Sequence, residues 1–168
     1  MTTDHYPMAT AEGTIINERQ ALAMQTGRRI GSIDSIRYII IHCSATRENT
    51  DYTVEHLQRD HLAAGFIKIG YHFYIRRDGT VTKHRELNEA GAHCRPFNHC
   101  SIGICYEGGL DAAGKPADTR TPEQTAQLIL LITKLKALFP KADVRGHRDM
   151  PGATPKLCPC FDVGVLGF

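Results

Sequence analysis

The stretch RYIIIHC, residues 37–43, decides the fold. Three consecutive isoleucines between polar flanks make a short strand. A nearly continuous apolar strand is buried on both faces, as in a sheet covered by helices rather than one open to water. It ends on His42 and Cys43, two side chains with chemistry to offer. Strand ends, and the loops after them, are where α/β folds place their sites.

Outward from this strand, the C-terminal side alternates helices and strands. Thr53 is placed to cap a helix over residues 53–64, with Val54, Leu57, His61 and Ala64 as a stripe and Gly65 marking its end. Residues 72–76 (HFYIR) read as a strand, 77–80 (RDGT) as a tight turn, and 81–84 (VTKH) as the returning strand. Residues 101–107 (SIGICYE) form another buried strand, closed by Gly108 and Gly109. TPEQ at 121–124 is a helix start, with Thr as cap, Pro in the first turn and Gln closing a capping box. Leu128, Leu131, Ile132, Leu135 and Leu138 give that helix its core face, and Pro140 stops it. A short strand at 142–145 then leads into GHRD, residues 146–149.

The alternation predicts an α/β fold: a single domain with a central mixed β-sheet flanked by helices. Residues 1–33 read as an N-terminal extension of uncertain order, with a possible short helix near 17–24. Residues 34–168 read as the domain.

The bulk numbers narrow the function. With 42% hydrophobic and 23% charged residues, the 168-residue chain has the composition of one soluble globular domain. A net charge of +2 and the absence of Trp argue against nucleic acid as a partner. No apolar run approaches the roughly 18 residues of a membrane span, so no membrane insertion is expected. Residues 1–13 lack the basic-then-apolar pattern of a secretory signal, which predicts synthesis in the cytoplasm. The sequence does not fix the oligomeric state, and a monomer is only slightly favoured. The six cysteines are too sparse for a disulfide scaffold and are expected to be mostly reduced.

Three positions combine into a site. His42 ends a strand, His147 follows a strand, and Cys158 lies in an irregular Pro-containing segment. Two imidazoles and a thiolate suit zinc, and three protein ligands leave a tetrahedral position for water. The spacing itself leaves the alternative open: a satisfied core histidine, a surface-loop histidine and a buried small residue.

Four segments, in order along residues 37–163, resemble the zinc-dependent N-acetylmuramoyl-L-alanine amidases. They are IIIHCSAT (39–46), GYHFYIRRDGTV (70–81), AGAHCRPFNHCSIGICYEGG (90–109) and VRGHRDMPGATPKLCPCFD (144–162). That group includes phage lysozyme-type endolysins and shares a fold with peptidoglycan recognition proteins. The resemblance implies Zn2+ held by His42, His147 and Cys158, with Tyr71 catalytic and Lys156 assisting. It implies peptidoglycan as the partner, reached after release or export. His93 and Asn98 match groove residues that would bind the stem peptide or the muramoyl group, and Thr46 is expected to line the cleft with Ser44 and Ala45. His72, next to Tyr71 on an extended stretch, should face the other way.

The chemistry is consistent with those types. Amide hydrolysis needs an activated water, stabilisation of charge on the carbonyl oxygen and a proton for the leaving amine. Three other readings stay open on residues alone: a peptidoglycan-binding module without turnover, a cysteine hydrolase using Cys43 or Cys158, and a structural zinc site with Cys160 as fourth ligand. Relatives that bind without cutting typically lack the cysteine ligand, so Cys158 favours the enzyme. Cys160 itself is expected to be packed and unligated.

Overall fold

A computed structural model describes residues 4–5, 35–153 and 157–168. Its strands are Asp4–His5 (β1), Tyr38–Cys43 (β2), Thr46–Arg47 (β3), Phe73–Ile75 (β4), Val81–Lys83 (β5), Ser101–Tyr106 (β6), Gly109–Leu110 (β7) and Asp143–Gly146 (β8). Its α-helices are Val54–Ala63 (α1) and Pro122–Leu138 (α2). The expected helix near 17–24 and the side chain of Lys156 lie outside the described residues. Among the described residues no helix is long and apolar enough to cross a membrane.

Six strands form one sheet in the order β1-β5-β4-β6-β2-β8. β2 runs parallel to β6 on one side and to β8 on the other, and β6 runs parallel to β4. β5 is antiparallel to β4 and β1, so the sheet is mixed, as the sequence predicts. β3 and β7 pair separately in a parallel two-stranded ladder.

Strand periodicity of two sorts the core into two faces. Ile39, Ile41, Phe73, Ile75, Ile102, Ile104 and Tyr106 join Leu128, Leu131, Ile132, Leu135 and Leu138 of α2 in one buried cluster. Each fully buried leucine or isoleucine there contributes roughly 1.5–3 kcal/mol. The intervening residues belong to the other face. Tyr74 and Cys105 pack with Val54, Leu57 and Ile69 beneath α1, and Ile40 packs with Cys94 and Met150. His42 shares the parity of Ile40, so the strand places it on the face away from α2.

The caps read from the sequence are present. Thr53 and His56 cap each other at the start of α1, and Thr121 and Gln124 do so at the start of α2. Each such cap is worth about 1 kcal/mol. Ala64, expected on the buried stripe of α1, is instead its exposed C-cap, and Gly65 follows with φ +94°. The β4–β5 hairpin turns at Gly79, φ +89°, where Asp78 Oδ1 accepts the Thr80 N–H at 2.8 Å.

Candidate active site

Sheet register brings the two histidines together. Ile41 of β2 stands opposite Gly146 of β8, so the next residues, His42 and His147, emerge side by side at the ends of adjacent parallel strands. Their rings lie 4.6 Å apart, centroid to centroid. His147 opens a single 3₁₀ turn, and Asp149 Oδ2 accepts the Gly146 N–H at 3.1 Å, fixing that turn.

Cys158 is tied to β2 and to the turn that follows β8. Its carbonyl accepts the Arg148 N–H at 2.9 Å, and its Sγ accepts the Cys43 N–H at 3.3 Å. The sulfur stands 3.9 Å from His42 Nδ1. One ligand atom from each of His42, His147 and Cys158 lies within 4.8 Å of the others, a group that can hold a metal ion. Among the described residues it is the one such group, and no fourth His, Cys, Asp or Glu joins it. Cys160 instead lies against Cys43, with the two sulfurs 3.9 Å apart.

The three residues line a cleft of about 630 Å³. Tyr71 stands beside them, its ring 5.1 Å from that of His42. Burial, chiefly, pushes the Tyr71 phenol well above its ordinary value, with the neighbouring cysteines adding to it, so the side chain remains an O–H donor at neutral pH. His72 points elsewhere, as expected. Its Nδ1 accepts the Gly103 N–H at 3.1 Å and its Nε2 meets the Glu89 carbonyl at 2.8 Å.

Ser44 and Ala45 line the cleft, but Thr46 does not. Ala45 adopts a left-handed backbone, φ 54°, and the chain turns there into β3, where Thr46 pairs with Gly109 and its hydroxyl meets Ser44 Oγ at 2.7 Å. His93 and Asn98 do reach the cleft wall. Three of their side-chain polar atoms are engaged within the protein, however. His93 Nδ1 is 2.9 Å from His42 Nε2, and its Nε2 is 3.3 Å from Ser101 Oγ. Asn98 Oδ1 accepts the main-chain N–H groups of His93 and Cys94 at 2.9 and 2.8 Å.

The cleft also includes His61, Phe66 and Arg95, which sequence reasoning does not single out. His61 reads as a core position of α1. In the structure its Nδ1 accepts the Gly70 N–H at 2.9 Å, so a neutral ring carries its proton on Nε2. Burial lowers its pKa and favours that neutral form.

The Cys43 thiol is held protonated. Its hydrogen bond with Cys158 and then burial push its pKa far above the ordinary thiol range. A buried, protonated sulfur is a poor nucleophile, which removes Cys43 from a cysteine-hydrolase reading.

Residues 32–161 match the N-acetylmuramoyl-L-alanine amidase family. The endolysin of Enterobacteria phage K11 is 41% identical over 123 residues, covering 73% of this chain and 80% of that protein. Among solved structures, the N-acetylmuramoyl-L-alanine amidase endolysin LysCS of Clostridium intestinale superposes with a TM-score of 0.64 at 29% identity, over 77% of this chain and 78% of that one. Drosophila PGRP-LB superposes with a TM-score of 0.60 at 27% identity, over 74% of each chain. The chain therefore belongs to the N-acetylmuramoyl-L-alanine amidase family, and it hydrolyses the amide bond between N-acetylmuramic acid and the L-alanine of the peptidoglycan stem peptide.

Proposed function

We propose that hydrolysis takes place at a zinc ion held by His42, His147 and Cys158, with Tyr71 and Lys156 acting on the substrate carbonyl. The observation that supports this most is the gathering of two imidazoles and one sulfur in the wall of a cleft, with Tyr71 alongside. The donor set fits. Zinc–nitrogen and zinc–sulfur bonds of about 2.0–2.3 Å put tetrahedral ligand atoms roughly 3.5 Å apart. The 3.9 Å between Cys158 Sγ and His42 Nδ1 is close to that spacing. Zinc bound there would supply a Lewis acid and a water that ionises near neutral pH.

The chain's own residues do the rest. The Tyr71 Oη–H donates to the carbonyl oxygen as charge develops on it. Lys156, two residues before Cys158 in the KLCP segment, is assigned an assisting role in the same step by the family resemblance alone. His61, Phe66 and Arg95 give the cleft one polar, one aromatic and one cationic wall for a glycan with an attached peptide. His93 shapes that wall, since both its ring nitrogens have protein partners, and Asn98, whose Oδ1 is taken, has its amide NH2 group to offer the stem peptide or the muramoyl group. The protein acts on cell-wall peptidoglycan, which it meets after release or export from the cytoplasm.

Elemental analysis with X-ray absorption at the metal tests the proposal. One zinc per chain with a single sulfur neighbour and nitrogen neighbours is the expected result. Two sulfurs would make Cys160 a ligand and the site a closed, structural one. No zinc would remove the proposal.

A further inference from the structure

We propose that His93 is the positioning residue for His42, holding its Nδ1 toward Cys158, and that the segment 91–103 is shaped to seat the His93 ring. This rests on the metal reading above.

The direction of the hydrogen-bond chain is fixed from its far end. The carbonyl of Phe97 can only accept, so the Ser101 hydroxyl, 2.7 Å away, donates to it. Ser101 Oγ is then left to accept, and the atom facing it at 3.3 Å is His93 Nε2. A neutral His93 with its proton on Nε2 has a bare Nδ1, which accepts from His42 Nε2 at 2.9 Å. A neutral His42 with its proton on Nε2 has a bare Nδ1, and that nitrogen faces Cys158 Sγ at 3.9 Å. A backbone carbonyl thus sets the tautomer of a ligand three groups away. Metal-binding histidines generally need such a partner to fix the ring and raise its basicity. Here the partner is a second imidazole rather than a carboxylate.

The surroundings of His93 are built around its ring. Gly103 lies in the middle of β6 between buried Ile102 and Ile104, where glycine weakens a strand. A Cβ on Gly103 would stand 2.7 Å from the His93 ring, and one on Gly91 would stand 2.4 Å from it. Both are closer than packed atoms come, so the two glycines leave the space that the imidazole fills. Asn98 Oδ1 holds the main chain at this point by accepting the N–H groups of His93 and Cys94. Gly91, His93, Asn98, Ser101 and Gly103 form one device within a single stretch of the sequence.

The test is zinc affinity, measured by competition with a chromophoric chelator, on the purified full chain. His93→Leu should weaken zinc binding about 10–100-fold. His93→Asn, whose amide oxygen can accept from His42 Nε2, should recover most of the loss. Gly103→Ala should reproduce the loss without removing a polar group. Thermal unfolding of each metal-free variant reports whether it folds. Independently of any variant, nitrogen NMR of the metal-free wild type should show His42 and His93 each protonated on Nε2. Zinc affinity within twofold of wild type in folded His93→Leu, or a proton on His42 Nδ1, overturns the proposal. A wild type that binds no zinc overturns the metal reading instead, and the tautomers still decide the role of His93. If His93→Leu does not fold, Ser101→Ala takes its place, with mixed His93 tautomers expected and an unchanged Nε2 tautomer counting against the chain.

Discussion

The main-chain N–H of Cys43 donates to the sulfur of Cys158, 3.3 Å away. The residue after one candidate ligand thereby holds another. Strand β2 carries His42 on its cleft side, while its next peptide group stabilises negative charge on the sulfur. The site is therefore braced by backbone, which no side-chain substitution at Cys43 removes.

Cys158→Ala should lose the metal while the domain still folds, because Cys158 is half-buried at the edge of the core. Metal content should fall to background, and release of L-alanine-terminated peptide should fall with it. A variant that keeps its metal would show that the sulfur is not a ligand.

Tyr71→Phe should keep the metal and lose rate. Removing one donor aimed at a developing oxyanion reduces kcat by roughly 10²–10³-fold. The signature is a fall in kcat with little change in KM, read on a defined muropeptide. Unchanged kcat would take Tyr71 out of the reaction.

Acid should destabilise the metal-free domain through His72. Burial lowers its pKa from about 6.5 to about 4, and the Gly103 N–H that donates to Nδ1 requires that nitrogen to be bare. As pH falls, the unfolded chain takes up the proton first. The contribution is thus complete above pH 6.5 and is lost as pH drops toward 4, on the order of 3 kcal/mol in all. His61 and His93 shift in the same direction, again through burial first. Urea unfolding at pH 7.5 and 4.5 measures the loss, and equal stability at both would contradict it.

Glu107→Ala should destabilise the domain without touching the cleft. Its carboxylate is buried and accepts from Arg76 Nε at 2.7 Å, from the Arg77 N–H at 3.0 Å and from the Tyr52 N–H at 2.8 Å. Arg76 is a quarter exposed and keeps Asp51 as a partner, so the loss falls on the Arg77 and Tyr52 N–H groups, at about 1–3 kcal/mol for each orphaned donor. A fall in Tm of several degrees, set against an unchanged zinc affinity, is the expected pattern.

Much of the fold is legible because local signals and burial agree. RYIIIHC and SIGICYE become neighbouring buried strands, and the capping boxes at Thr53 and Thr121 start the two helices. The ligand triplet is legible only through motif resemblance, since the parallel pairing of β2 and β8 that brings His42 to His147 leaves no local mark. Thr46 misleads for a backbone reason: spacing after His42 suggests the cleft, but the left-handed turn at Ala45 carries the chain away. His61 is hidden by its helical stripe, which looks the same whether the ring meets core or cleft. The role of Gly103 cannot be read from the strand at all, because what it clears room for lies in the preceding loop.

The most direct test of the whole account is release of new N-terminal L-alanine from purified peptidoglycan by chelator-treated protein, before and after zinc is restored. The account predicts no release from the metal-free protein and full recovery on adding zinc at one equivalent per chain. Full release by protein shown to be metal-free would contradict it.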